Sequence, residues 1–401
     1  MLTAITESGK TISLVGNWGK HELLKIIENE RLLCPACKEH VRLRTGTKRI
    51  WHFAHISKLN CDSQIENESE YHLKGKVQLY DWLIQQGIDV EVEKYLPKIK
   101  QRPDLFVTWK NENYAIEFQC STVDSARLLK RTQAYLRANI IPLWILGGKR
   151  FKKNFAHHLK ITPFDLLMAF SANNKDLRLI YYCPITARFC IASSLTPFSS
   201  STFLTATDYF FPNQLSFSEI ITSNENQQIL NDNHWLVLKR RWRTSSYLYT
   251  DKAYQRIFYE NGMPLCLLPG EAGIPVKSMI WIKTAPILWQ GWILLMFIMP
   301  LQVGEMVSFE DVFYSFKAEV QKGFMKIRQL PSLKNSHYSF ALMEYLQQLE
   351  KLGVLRKVNR STFRKVANLA VPKNVEDACN LDSVVLIKLK KYNFSKYYYK
   401  M

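Results

Sequence analysis

Residues 102–119 constrain this chain more than any other stretch. Arg102, Pro103 and Asp104 lead into the apolar run Leu105-Phe106-Val107-Thr108-Trp109, and Tyr114-Ala115-Ile116 leads into Glu117-Phe118-Gln119. Lys110, Asn111, Glu112 and Asn113 lie between them as a polar turn. Two short apolar runs about a polar turn predict a β-hairpin. Asp104, Glu117 and the Gln119 amide then stand at the edge of a buried sheet. Carboxylates placed there are costly unless something charged meets them, and a divalent cation is the first candidate.

The flanking periodicity extends the hairpin into a complete unit over 66–150. In 68–84, Leu73, Val77, Tyr80, Leu83 and Ile84 recur near helical spacing, with Glu70, His72 and Lys76 in the first two turns. Residues 88–93 alternate as a strand does. Residues 124–136 form an amphipathic helix capped by Asp124 or Ser125, and 140–146 an apolar strand stopped by Gly147 and Gly148. Helix, three strands, helix, strand is an α/β unit with its acids on the central hairpin.

Residues 1–65 hold a second constellation. Cys34-Pro35-Ala36-Cys37 is followed by His52, His55 and Cys61. A C-x-x-C turn presents two thiolates from one knuckle, and tetrahedral zinc takes four thiolate or imidazole ligands. Cys34, Cys37, His55 and Cys61 are the expected set. His52 is the alternative, as a ligand or as a group orienting one. Four protein ligands leave no open position, so such a site staples a module rather than catalyses. Lys38, Arg42, Arg44, Lys48 and Arg49 make the module a DNA contact or a solvated basic face.

A formal net charge of +19 and a pI near 9.5 point to a polyanionic partner, nucleic acid or an acidic membrane. The first residues lack the basic and apolar regions of a secretory signal. Eight cysteines in 401 residues are too sparse for a disulfide framework, and reduced thiols fit a cytoplasmic location.

Residues 151–401 are expected to be a basic, largely helical region, with a linker-like boundary near 193–202. Residues 178–183 and 188–192 read as a strand pair. Lys239-Arg240-Arg241-Trp242-Arg243 sets four cations around an indole, suited either to phosphate and base stacking or to a solvated helix end. No charge occurs from 284 to 304, but Pro286 and Pro300 bracket a run too short to span a bilayer, and a buried helix is expected instead. From residue 321 onward there are 16 Lys plus Arg against 5 Asp plus Glu. A helix over 341–353 is followed by a strand-like run, and lysines and tyrosines interleave from Lys388 to Lys400 as a tail that tracks phosphates or frays.

The 66–150 unit resembles the PD-(D/E)XK nuclease superfamily, with its restriction-endonuclease-like αβββαβ core. Pro103-Asp104 matches the first half-motif and Glu117-Phe118-Gln119 the second, with glutamine where lysine is usual. The resemblance implies Mg²⁺, or Mn²⁺, held by Asp104 and Glu117, with Glu70 completing the site and Gln119 orienting the attacking water. It also implies a phosphate near His72 and Lys76, steadied by Gln133. The whole arrangement resembles the competence protein CoiA family, on Cys34–Cys37, His52–His55, residues 70–76, and 102–104 with 117–121. That implies a cytoplasmic factor of natural transformation that promotes recombination of incoming single-stranded DNA alongside RecA and DprA. Two functions are expected from this. One is a metal-dependent nuclease on single-stranded or branched DNA. The other is a nuclease-fold DNA-binding platform that mediates recombination with RecA without cutting.

Overall fold

The computed structural model describes residues 1–16, 19–46, 50–56, 61, 69–155, 157–172, 176–222, 232–333 and 337–398. Lys48 and Arg49 of the expected basic face lie outside them, as do Glu68, Tyr399 and Lys400. The first module comprises β1 (Thr3–Thr6), β2 (Thr11–Ser13), α1 (Lys20–Asn29), β3 (Leu32–Leu33), β4 (His40–Arg44) and β5 (His52–His55). Its strands form one antiparallel sheet in the order β2-β1-β3-β4-β5. Ala4, Ile12, Leu23, Val41 and Phe53 pack there with Cys34 and Cys61.

Next come α2 (Glu70–Ile84), β6 (Asp89–Val92), β7 (Leu105–Trp109), β8 (Glu112–Gln119), α3 (Ser125–Arg137) and β9 (Ile140–Gly147). Ser69 caps α2 by accepting from the His72 N–H, and Asp124 caps α3 at Ala126 and Arg127. The hairpin turn is tighter than expected. Lys110 and Asn111, at φ 47° and 66°, form a two-residue turn with Trp109 opposite Glu112; positive φ at both centres is what a primed hairpin turn requires. Helix α3 crosses over to bring β9 parallel to β8.

The sheet continues beyond residue 150. It adds β10 (Lys152–Phe155), β11 (His158–Lys160), β12 (Leu179–Cys183), β13 (Arg188–Pro197) and β14 (Thr202–Phe210), with the short α4 (Pro163–Leu166) between β11 and β12. The order is β10-β11-β14-β13-β12-β9-β8-β7-β6. The boundary expected at 150 therefore falls inside one nine-stranded sheet. The stretch 193–202 is not a linker but the end of β13, a turn and the start of β14. The physical reason is coverage of β9, whose ladder would be an open edge without β12. Alternation divides the faces. Ile116, Phe118, Ile145, Ile180 and Tyr182 pack with α2, while Trp144, Leu146, Leu179 and Tyr181 pack with Leu128 of α3.

The remaining chain contains α5 (Phe217–Ile221), α6 (Asp232–Thr244), α7 (Ser246–Tyr249), α8 (Lys252–Glu260), α9 (Pro286–Ile293), β15 (Met306–Ser308), α10 (Phe309–Gln321), α11 (Ser339–Lys351), β16 (Leu355–Lys357), β17 (Thr362–Lys365) and α12 (Val375–Tyr398). The last three strands form a small sheet, β15-β17-β16. The charge-free stretch is α9 followed by a π-helical turn, Leu294–Ile298, inside the largest core cluster. Gln290 is fully buried and meets both the N–H and the C=O of Ile274 at 2.8 Å. Among the described residues no helix is long and apolar enough to cross a membrane. The lysine–tyrosine tail belongs to α12 as far as Tyr398.

Candidate active site

Asp104 lies immediately before β7, and Glu117 lies near the end of the adjacent β8. Period-2 alternation turns Phe118 toward α2 and its neighbour Glu117 toward α3. The closeness of α2 depends on Gly75. A Cβ there would stand 2.0 Å from the Phe118 ring, so glycine lets helix and strand approach despite its cost of about 1 kcal/mol relative to alanine in a helix. One residue after and three before Gly75, Lys76 and His72 reach Asp104. His72 Nε2 is 3.1 Å from Asp104 Oδ2, which also accepts from the Phe118 N–H at 2.9 Å. The Lys76 ammonium is 3.4 Å from Oδ1 and 2.5 Å from Glu93 Oε1. Glu117 Oε1 accepts from the Tyr135 hydroxyl at 2.5 Å and from Arg131 Nη2 at 2.7 Å.

The two carboxyls are driven apart electrostatically. Burial alone would raise Asp104, but the charges of His72 and Lys76 outweigh it and hold Asp104 well below the usual carboxylate range. Burial dominates at Glu117; reinforced by Asp104 and only partly opposed by Arg131, it pushes the carboxyl up to about 7. A buried pair with split proton affinities is a recurrent feature of acid–base sites.

The expected site residues divide. Asp104, Glu117 and His72 fall in this cluster, and the Gln119 side chain donates to the Ser121 carbonyl at 3.0 Å. Glu70 is exposed in the first turn of α2. Lys76 does not face a phosphate position: its ammonium is fully buried between Glu93 and Asp104. Gln133 is exposed, because the buried face of α3 carries Leu128, Arg131, Thr132 and Tyr135. Glu93, Arg131 and Tyr135 were missed. The i, i+4 spacing of Arg131 and Tyr135 was the available signal, since it puts a guanidinium and a phenol on one helix face.

The basic cluster on α6 is corrected more sharply. Arg243 forks onto Asp382 of α12 with two bonds of 2.7 Å and donates to the carbonyls of Cys266 and Leu268. Lys239 joins the same carboxylate at 2.6 Å, and Trp242 is buried in the core. Residues at i and i+4 share a face, and here that face packs inward. Of this cluster, Arg240 and Arg241 are exposed.

In the first module, Cys34, Cys37, His55 and Cys61 bring their ligand atoms within 4.8 Å of one another. Cys37 Sγ is 3.3 Å from His55 Nε2, and Cys34 Sγ is 4.0 Å from Cys61 Sγ. Burial and the neighbouring thiols push Cys37 up to about 12, so the crowded thiols favour ionisation only if a cation supplies charge. Three sulfurs and one imidazole are the donor set that zinc takes, and these residues could hold such a metal. The alternative ligand His52 stands on the other face of β5 and meets the Ile50 carbonyl. For Mg²⁺, Asp104 and Glu117 supply two hard oxygen donors, compatible with a cation that keeps several waters and takes one or two carboxylates.

Family models of competence protein CoiA match three successive segments. They are its N-terminal domain at 15–64, its nuclease-like domain at 68–226 and its C-terminal domain at 230–379. The middle match spans the sheet beyond residue 150, as the strand pairing does. The competence protein CoiA of Bacillus subtilis (strain 168) is 27% identical over 341 residues, covering 84% of this chain and 90% of that protein. With all three domains matched in order around these two sites, the chain belongs to the competence protein CoiA family.

Proposed function

We propose that this competence-related protein processes DNA through phosphodiester hydrolysis at Asp104 and Glu117, in a core of the PD-(D/E)XK type. The observation that carries the reading is the split carboxyl pair on adjacent strands. Mg²⁺ or Mn²⁺, held by these two acids, would polarise the phosphate and acidify the attacking water. Asp104 stays ionised across the physiological range and is oriented by His72 and the Phe118 N–H. Glu117 exchanges a proton near neutrality while Arg131 and Tyr135 hold its carboxyl in place. Gln119 serves as a hydrogen-bonding group for water, having no titratable function. Hydrolysis joins a water oxygen to phosphorus and breaks one ester bond, leaving a hydroxyl and a phosphomonoester. The positive charge of the chain favours DNA as a polyanionic substrate, and the family resemblance implies single-stranded or branched DNA. The family resemblance supports a cytoplasmic role in recombination of incoming DNA, with RecA and DprA as partners.

One observation favours a second reading, a non-cutting DNA platform. Both acids already have protein cations as partners, and Gln119 stands where lysine is usual. Incubating single-stranded, duplex and branched DNA with the protein and Mg²⁺ or Mn²⁺ separates the two. Cleavage abolished by Asp104→Ala and by Glu117→Ala supports hydrolysis here. Binding without cleavage by the wild type, or cleavage surviving both substitutions, refutes it.

A further inference from the structure

Glu93 follows β6 in a left-handed conformation, φ 51°, which a non-glycine residue rarely adopts. The residue is 3% exposed, and its carboxylate is crowded with donors. Oε1 takes the Leu2 N–H at 2.9 Å and Lys76 at 2.5 Å. Oε2 takes the Leu2 N–H at 3.0 Å, the Thr3 N–H at 3.1 Å and the Thr3 hydroxyl at 3.0 Å. Its own N–H donates to the Asp104 carbonyl at 3.0 Å. One carboxylate thus holds strand β1 of the first module on one side and the Lys76–Asp104 pair on the other.

The far end of this connection is the cysteine cluster. Strand β1 registers against β3, with Ile5 opposite Leu33, and Cys34 follows directly. The Met1 thioether lies 4.0 Å from Cys34 Sγ and 2.9 Å from Arg102 Nη1. The Arg102 carbonyl accepts from Arg131 Nη2 at 2.7 Å, the nitrogen that also holds Glu117. Both acids of the nuclease-like domain therefore reach the cluster through unbroken packing.

We propose that Glu93 couples the Cys34–Cys37–His55–Cys61 cluster to Asp104, so that metal occupancy of the first module sets how Lys76 is held on Asp104. The proposal rests on the reading that the cluster holds zinc. Glu93 is a positioning residue, acting through β1 on one side and Lys76 on the other. A displaced β1 withdraws donors from a buried carboxylate, and a buried charge deprived of partners is strongly destabilising. The Lys76–Glu93 pair must then shift, and Asp104 with it. Coupling is reciprocal, so a change at Glu93 also weakens retention of the metal.

The test is hydrogen exchange on the full-length zinc-loaded chain and after chelation, read on peptides covering 70–80 and 101–119. In the wild type, chelation is expected to speed exchange in both peptides about tenfold, within the usual span of coupling between sites. In Glu93→Gln both peptides exchange faster from the start, chelation adds nothing further there, and zinc is bound about tenfold more weakly in equilibrium competition with a chelator. Thr3→Val, which removes one donor and leaves both charges, is the milder variant if Glu93→Gln fails to fold; its changes are smaller in the same directions. Exchange at 70–80 and 101–119 that ignores chelation in the wild type overturns the coupling. So does an unchanged response and zinc release in the variant, or a wild-type chain that takes up no zinc. No readout uses cleavage, so failure of the hydrolysis reading and failure of the coupling are told apart; metal content is measured separately.

Discussion

Replacing Glu117 by Gln removes an ionisation that the fold makes expensive near neutral pH. Glu117 is 3% exposed, and burial lifts its carboxyl from 4.5 to about 7 despite Arg131. Between those values the folded chain keeps a proton that the unfolded chain has released, so stability falls as pH rises through the window. At about 1.4 kcal/mol per pKa unit the loss attributable to this group is about 3 kcal/mol, nearly complete above pH 7. Asp104 acts in the opposite sense and elsewhere. Its carboxyl is held below the ordinary value of 3.8, so its contribution is present above that value and lost as pH falls through the still lower folded value. Glutamine still offers an acceptor to Tyr135 and Arg131 but no charge. Urea unfolding of wild type and Glu117→Gln, compared at each pH from 4.5 to 8, isolates the group because other ionisations cancel in the difference. The variant is expected to gain about 3 kcal/mol relative to wild type across that range. A constant difference, or a variant that loses ground as pH rises, would refute the reasoning and place Arg131 above burial as the dominant influence.

Four further outcomes follow from other contacts. Arg243→Ala leaves Asp382 with one cation and takes a donor from the carbonyls of Cys266 and Leu268, and should destabilise the protein by about 3–5 kcal/mol in thermal or urea unfolding. Arg240→Ala with Arg241→Ala should leave stability nearly unchanged while flattening the salt dependence of DNA binding, measured by fluorescence anisotropy at several ionic strengths. Cys34→Ser should lose stoichiometric zinc in metal analysis of the purified protein, with a lowered unfolding temperature. Gly75→Ala forces a methyl against the Phe118 ring and should cost at least about 1–3 kcal/mol, measured by urea unfolding, with Mg²⁺-dependent activity falling as α2 moves off β8.

The elements around the acids were legible because their signals are local. The apolar spacing in 73–84, Asp124, the alternation in 88–93 and the polar run 110–113 each act within a few residues, and the structure places a helix, a helix cap, a strand and a turn there. The cysteine–histidine cluster was legible for the same reason, although only strand alternation in β5 separates His55 from His52. Long-range pairing was not legible. Nothing near Lys239 and Arg243 announces Asp382, which lies 139 residues beyond Arg243, so a buried ion cluster looked like a basic surface. Lys76 misled in the same way, since its partner Glu93 and the β1 amides meet only in the folded chain. The strand pair at 178–183 and 188–192 was legible, but its place in the same sheet was not, because β9, the partner of β12, is supplied from earlier in the chain.

Mn²⁺ titration of the zinc-loaded protein, followed by electron paramagnetic resonance in the presence of a single-stranded oligonucleotide, reads cation binding at Asp104 and Glu117. One Mn²⁺ site is expected, tightening as pH rises through about 7 because Glu117 must release its proton to bind. Asp104→Asn and Glu117→Gln each abolish it. Mn²⁺ binding that persists unchanged in both variants, or no Mn²⁺ binding at all by the wild type, would contradict a metal-dependent site at these two acids.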